Sequence, residues 1–129
     1  MVNFACRAAG AEPRRVLIVQ PDDALRDLLV LTLLDDGYLP VAVASVAAAL
    51  EEVRRTPPVA VVLDTWPLVH HPNGETAAAQ ALSEEAVPIV TLGDWPGEVE
   101  RLGAAAHLIK PFDLDDLLAA LAQVAEFSV

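Results

Sequence analysis

Lys110 is the only lysine in the chain and stands in Leu108-Ile109-Lys110-Pro111-Phe112, where an apolar run stops and a proline follows. Every other basic side chain is an arginine. Arginine presents a rigid planar fork, whereas lysine is a compact point charge on a flexible stem, suited to reaching one carboxylate or phosphate oxygen. Asp64 closes the apolar run Val59-Ala60-Val61-Val62-Leu63, and Thr91 closes another that begins at Val87. An acid, a hydroxyl and a cation at three such run ends form one polar site if the fold brings those ends together. The plain alternative for each residue taken singly is the cap of a strand end.

The elements that must position them alternate in type. Val16–Val19 is continuous and apolar and reads as a buried strand. Leu25, Leu28, Leu29 and Leu33 follow at helical spacing, with Asp22 or Asp23 to cap the helix start and Gly37 to end it. Leu39–Ala44 is the second strand, and Ser45 caps a helix running to Arg55, which Pro57-Pro58 breaks. Val59–Leu63, ending in Asp64, is the third and most apolar strand. A loop from Thr65 to Asn73 precedes an alanine-rich helix from Gly74 to Glu85. Val87–Thr91 is the fourth strand, 98–102 a short fourth helix, and Ala106–Ile109 the fifth strand; Leu114, Leu117, Leu118, Leu121 and Val124 mark a last amphipathic helix.

Strict alternation of strand and helix implies a parallel sheet covered on both faces. Right-handed crossovers then favour a flavodoxin-like, doubly wound α/β fold of five strands in the order 2-1-3-4-5 with five helices. Ligand sites of such sheets lie at the carboxyl ends of the strands, where Gln20, Asp22, Asp64, Thr91 and Lys110 fall. The expected convergence of these residues is more specific than any one of them.

Composition bounds the rest. With 129 residues the chain is long enough for one domain, read here as 14–129 behind an N-terminal arm over 1–13. The formal net charge of -11 argues against a nucleic-acid-binding face, because phosphate backbones are held by clustered lysine and arginine. Cys6 has no second cysteine to pair with and fits a reducing, cytoplasmic setting. No apolar run is long enough to cross a bilayer, and Met1–Ala11 lacks the basic front of a signal peptide.

On these residues the stretch from Arg14 to Phe127 resembles a receiver domain of a bacterial two-component response regulator. The resemblance implies that Asp64 is a phosphoacceptor served by a histidine kinase. It further implies that Thr91 and the lysine of Lys110-Pro111 contact the phosphoryl group, and that Thr91 and His107 form the conformational switch. Such a module is not an enzyme beyond its own phosphorylation and dephosphorylation. A carboxylate is a competent nucleophile for phosphoryl transfer, and the charge it gains calls for a cation and a hydroxyl donor nearby. Partners are then a kinase or another signalling protein, with a homodimer as a further state the fold allows.

The family's first strand ends in two adjacent acids that hold Mg²⁺ with the phosphoacceptor, and here Gln20 and Pro21 occupy those places. Asp64 alone makes a poor Mg²⁺ site, with Asp22 or the Gln20 oxygen as the remaining donors, so weak or absent Mg²⁺ binding is expected. Two carboxylates about 5 Å apart repel by roughly 3 kcal/mol at an effective dielectric near 20. Losing the acid pair removes that repulsion, and a direct Asp64–Lys110 ion pair without metal follows. An alternative reading is accordingly a pseudo-receiver that signals by phosphorylation-independent protein binding. A cofactor-binding flavodoxin-like protein is the remoter one, disfavoured because the turn after the first strand is glycine-free and acidic. His70-His71 suggests a metal, though adjacent histidines in a polar loop are ordinarily solvated. Trp66 and Trp95 flank the expected crevice.

Overall fold

The computed structural model describes residues 14–66, 68, 72–93 and 103–127. The expected arm over 1–13, His70, His71, Trp95 and the expected helix over 98–102 lie outside the described residues. Strands β1 (Arg15–Val19), β2 (Leu39–Val43), β3 (Ala60–Asp64), β4 (Ile89–Gly93) and β5 (Ala106–Ile109) form one parallel sheet in the order β2-β1-β3-β4-β5. Helices α1 (Asp23–Asp35), α2 (Val46–Arg55), α3 (Pro72–Ser83) and α4 (Leu114–Phe127) connect and follow the strands. This is the doubly wound α/β architecture that the alternation implies.

Strand alternation sorts the core into two layers. Val16, Ile18, Ala60, Val62, Val90 and Leu92 pack on one face against Leu29 and Leu33 of α1 and Leu117 and Leu121 of α4. Leu17, Val19, Val61, Leu63 and Ile89 pack on the other against Val46, Ala49 and Val53 of α2 and Ala79 and Leu82 of α3. Each fully buried Leu or Val contributes about 1.5–3 kcal/mol against leaving it exposed, so the β-branched central strands carry much of the stability.

Local chemistry sets the ends that hold the site. Asp22 accepts the Leu25 N–H at 3.0 Å and caps α1, and Ser45 caps α2 by accepting the Ala48 N–H at 3.1 Å. At the other end of α1, Gly37 sits at φ 94°, and the bonds Tyr38 N–H to Leu33 O and Gly37 N–H to Leu34 O close a left-handed helix stop.

Two elements are displaced by two residues from expectation, while β1, β2 and β3 differ by a single residue at one or both ends. The third helix runs Pro72–Ser83 rather than Gly74–Glu85. The fourth strand runs Ile89–Gly93 rather than Val87–Thr91. Pro88 has no N–H for the ladder and Val87 N–H bonds Glu85 O in a turn, so the strand starts late. It then continues past Thr91, because Gly93 has no side chain to meet Thr65. A Cβ built on Gly93 would collide with the Thr65 hydroxyl, which bonds Leu92 O at 3.2 Å.

Candidate functional site at the strand ends

Register decides which candidate residues share a face. One row crosses the whole sheet, pairing Val43 with Val19, Val19 with Leu63, Leu63 with Thr91 and Thr91 with His107. Val19 and Leu63 point into the layer under α2 and α3, so Thr91 and His107 share that side. Gln20 and Asp64 lie one residue further on and turn to the opposite side, toward α1 and α4. The expected single cluster is therefore two adjacent ones.

The first cluster centres on Asp64, whose side chain is fully buried. Lys110 Nζ approaches Asp64 Oδ2 at 2.5 Å, reaching across β4 from the cis Lys110–Pro111 turn after β5. The Lys110 backbone is tied to β4 by its N–H to Gly93 O at 3.2 Å. The direct Asp64–Lys110 pair expected from the sequence is present.

A second donor on the same oxygen was not anticipated. Gln20, 2% exposed, donates Nε2–H to Asp64 Oδ2 at 2.8 Å, while its Oε1 accepts the Asp22 N–H at 3.0 Å. A backbone N–H can only be given to the amide oxygen, so the nitrogen must be the end that faces the carboxylate. The sequence reading, in which Gln20 offers an oxygen toward the site, is thereby corrected. Asp22 has its Oδ1 on the Leu25 N–H, so its carboxylate serves α1.

The third donor is local. Trp66 N–H bonds Asp64 Oδ1 at 2.8 Å, the two-residue reach by which aspartate side chains commonly close turns. An aspartate ending a strand before a loop is the signal that announces it. Asp64 thus has its charge balanced by one ammonium and both oxygens engaged, as a buried carboxylate requires.

The second cluster joins β4 to β5. Thr91 Oγ1 lies 2.7 Å from His107 Nδ1 and 3.3 Å from Ala106 O. His107 Nε2 is buried without a hydrogen-bond partner among the described residues. Burial lowers the His107 pKa below the ordinary histidine value, and the Gly93 backbone opposes this in part. In this state the Thr91 hydroxyl is engaged with its β5 neighbours and makes no hydrogen bond to Asp64.

The site is thus a buried strand-end carboxylate held by the lysine that follows the last strand of a five-stranded doubly wound sheet. No protein-family model matches the chain. The transcriptional regulatory protein PdtaR of Mycobacterium tuberculosis is 34% identical over 88% of this chain and 58% of its own length. An NtrX-like response regulator of Rickettsia conorii is 28% identical over 86% of this chain and 25% of its own. The crystal structure of a response regulator from Chloroflexus aurantiacus superposes with a TM-score of 0.75 at 25% identity, covering 89% of this chain and 99% of that one. The chain is thus similar over most of its length to response regulators, and its fold is the one their receiver domains have. It spans about three fifths of the mycobacterial relative's length and a quarter of the rickettsial one's. Among the described residues no helix is long and apolar enough to cross a membrane.

Proposed function

We propose that this chain is a receiver module that signals through protein–protein contact, with Asp64 held in its unmodified form by Lys110 and Gln20 and with no resident Mg²⁺. The observation that carries the proposal is the Gln20 amide nitrogen at 2.8 Å from Asp64 Oδ2. Mg²⁺ takes oxygen ligands in near-octahedral geometry and is held by one or two carboxylates. Here the residue in the place of the first metal-binding acid turns N–H groups toward the carboxylate, and its oxygen is spent on the Asp22 N–H. Pro21 has no side-chain donor atom, and Asp22 is committed to the α1 cap. The donor set does not fit the metal.

What the metal does in phosphoryl transfer is to stabilise charge in the transition state, a contribution of several kcal/mol. Gln20 brings one neutral donor, and Lys110 is already neutralised by the charge it faces. Asp64 is also closed to solvent, so an incoming phosphodonor meets no free carboxylate oxygen. The acidic surface is consistent with a protein partner, a kinase or other signalling protein, rather than with nucleic acid.

One observation favours a second reading, in which Asp64 accepts a phosphoryl group. Lys110 and Gln20 both occupy Oδ2, which leaves Oδ1 with only the Trp66 N–H. Attack of Oδ1 on the phosphorus of an acyl phosphate would form the new P–O bond there as the donor's own P–O bond breaks and its carboxylate departs, and Thr91 would have to leave His107 to meet the new oxygens. Intact-mass measurement after incubation with a small acyl phosphate and millimolar Mg²⁺ separates the two. The proposed function requires an unchanged mass; an added phosphoryl group that disappears in Asp64→Ala establishes the second reading instead.

A further inference from the structure

Strand β2 forms one edge of the sheet. Its only strand neighbour among the described residues is β1, so its outer side offers unpaired backbone groups. Register identifies them. Leu39 N–H bonds Arg14 O, so Leu39, Val41 and Val43 turn their backbone groups toward β1, and Pro40 and Ala42 turn theirs outward. Pro40 brings only a carbonyl, whereas the exposed Ala42 brings both an N–H and a C=O.

Natural sheets protect such edges with charged side chains, prolines, bulges or a covering segment, because an open apolar strand pairs with other chains. Here the strand reads Leu-Pro-Val-Ala-Val with Leu39 41% exposed, and no charged side chain occurs between Asp36 and Glu51. Its pairing with β1 is continuous over all five residues, so no bulge turns the edge away. Pro40 blocks one outward position and leaves Ala42 open. A covering segment is the protection that remains.

The chain carries a segment of the right pattern, length and tether. Residues 1–13 lie outside the described ones, and within them Val2-Asn3-Phe4-Ala5-Cys6-Arg7 alternates apolar with polar or small side chains in the period of a strand. Gly10 and Pro13 then mark a connection. The segment joins the fold at Arg14, whose carbonyl holds the first residue of β2. Two strand spacings, about 10 Å, separate β1 from a strand laid outside β2, and the seven residues 7–13 reach about 23 Å when extended. A second copy would approach the edge with -11 formal charges on each molecule, whereas a tethered segment has an effective concentration on the order of millimolar.

We propose that Val2–Cys6 adds to the outer edge of β2 as an antiparallel sixth strand. It runs opposite to β2 because it must return to the end of the sheet at which β1 starts. With Asn3 opposite Ala42 the two exchange both backbone hydrogen bonds, and Ala5 N–H donates to Pro40 O. Phe4 then lies beside Val41 and Cys6 beside Leu39, extending the apolar layer under α2 over the exposed part of Leu39. The segment thereby keeps the β2 edge from pairing with a second copy, a role that stands apart from the chemistry of Asp64.

Hydrogen–deuterium exchange, read at single amides by NMR in the full chain, tests the proposal. The quantity is the ratio of the Ala42 to the Val41 exchange rate, since Val41 N–H faces β1 and reports the integrity of the sheet itself. The ratio should rise at least about tenfold in Asn3→Pro and in Val2→Asp/Phe4→Asp, because both variants release the outer strand and leave β1 in place. An unchanged ratio in both variants overturns the proposal. So does protection of Ala42 that grows with protein concentration alongside a dimer in sedimentation, which puts a second copy on the edge instead.

Discussion

Asp64 is a full charge removed from water, and what keeps it there is the number and type of its donors. Lys110 supplies the opposite charge and Gln20 and Trp66 supply neutral N–H groups. Removing one partner of a buried pair leaves the other unpaired and costs about 3–5 kcal/mol in closed sites. With the Lys110 side chain 29% exposed, screening lowers the expected loss for Lys110→Met to about 2 kcal/mol in chemical denaturation. Asp64→Asn/Lys110→Met should lose at least about 1 kcal/mol less than the sum of the single variants, the sign of direct coupling. His107 makes a second prediction. Its folded pKa lies below 6.5, so between the two values the unfolded chain binds a proton that the folded chain does not. The stability tied to neutral His107 is therefore present above 6.5 and is lost as the pH falls through the lowered pKa. His107→Phe should flatten the fall in stability on acidification, measured as the difference between the two proteins' urea midpoints across that range. Asp64 and Lys110 were legible as residues because their types and run-end positions are unusual. Gln20 was visible as a missing acid and as an oxygen donor but not as an N–H donor, since that role depends on which end of the amide the Asp22 N–H captures.

At the scale of elements, the strands had to end where they do for these side chains to meet. Alternation of short apolar runs with amphipathic stretches was enough to give the sheet order, because right-handed crossovers leave few other topologies. It was not enough to place the end of β4. That boundary depends on a contact between Thr65 and Gly93, 28 positions apart in sequence, which no local pattern announces. The two extra residues also put Thr91 in mid-strand, and register then pairs it with His107. Gly93→Ala tests the contact directly. Its added methyl should cost about 1–3 kcal/mol by overpacking against the Thr65 hydroxyl, and Thr65→Ala in the same chain should recover most of the loss in thermal melts.

For the whole molecule, two apolar layers hold the sheet rigid while its carboxyl edge carries an acidic site that has been neutralised from within. The likeness was legible over nearly the entire chain, because the alternation of strands and helices carries it and the resemblance was drawn on the acid, hydroxyl and lysine at the run ends. What the departure at Gln20 and Pro21 means was legible only as a loss of metal ligands, and the structure adds that Gln20 itself acts on Asp64. Gln20→Asp inverts that arrangement by facing one carboxylate with another, roughly 3 kcal/mol of repulsion at about 5 Å and an effective dielectric near 20. The variant should melt lower than the parent and recover when Mg²⁺ is added. The most direct measurement is therefore the melting temperature of the unaltered protein with and without millimolar Mg²⁺, repeated in Asp64→Asn. The account predicts no shift that depends on Asp64; a rise in the unaltered protein that Asp64→Asn abolishes would contradict it.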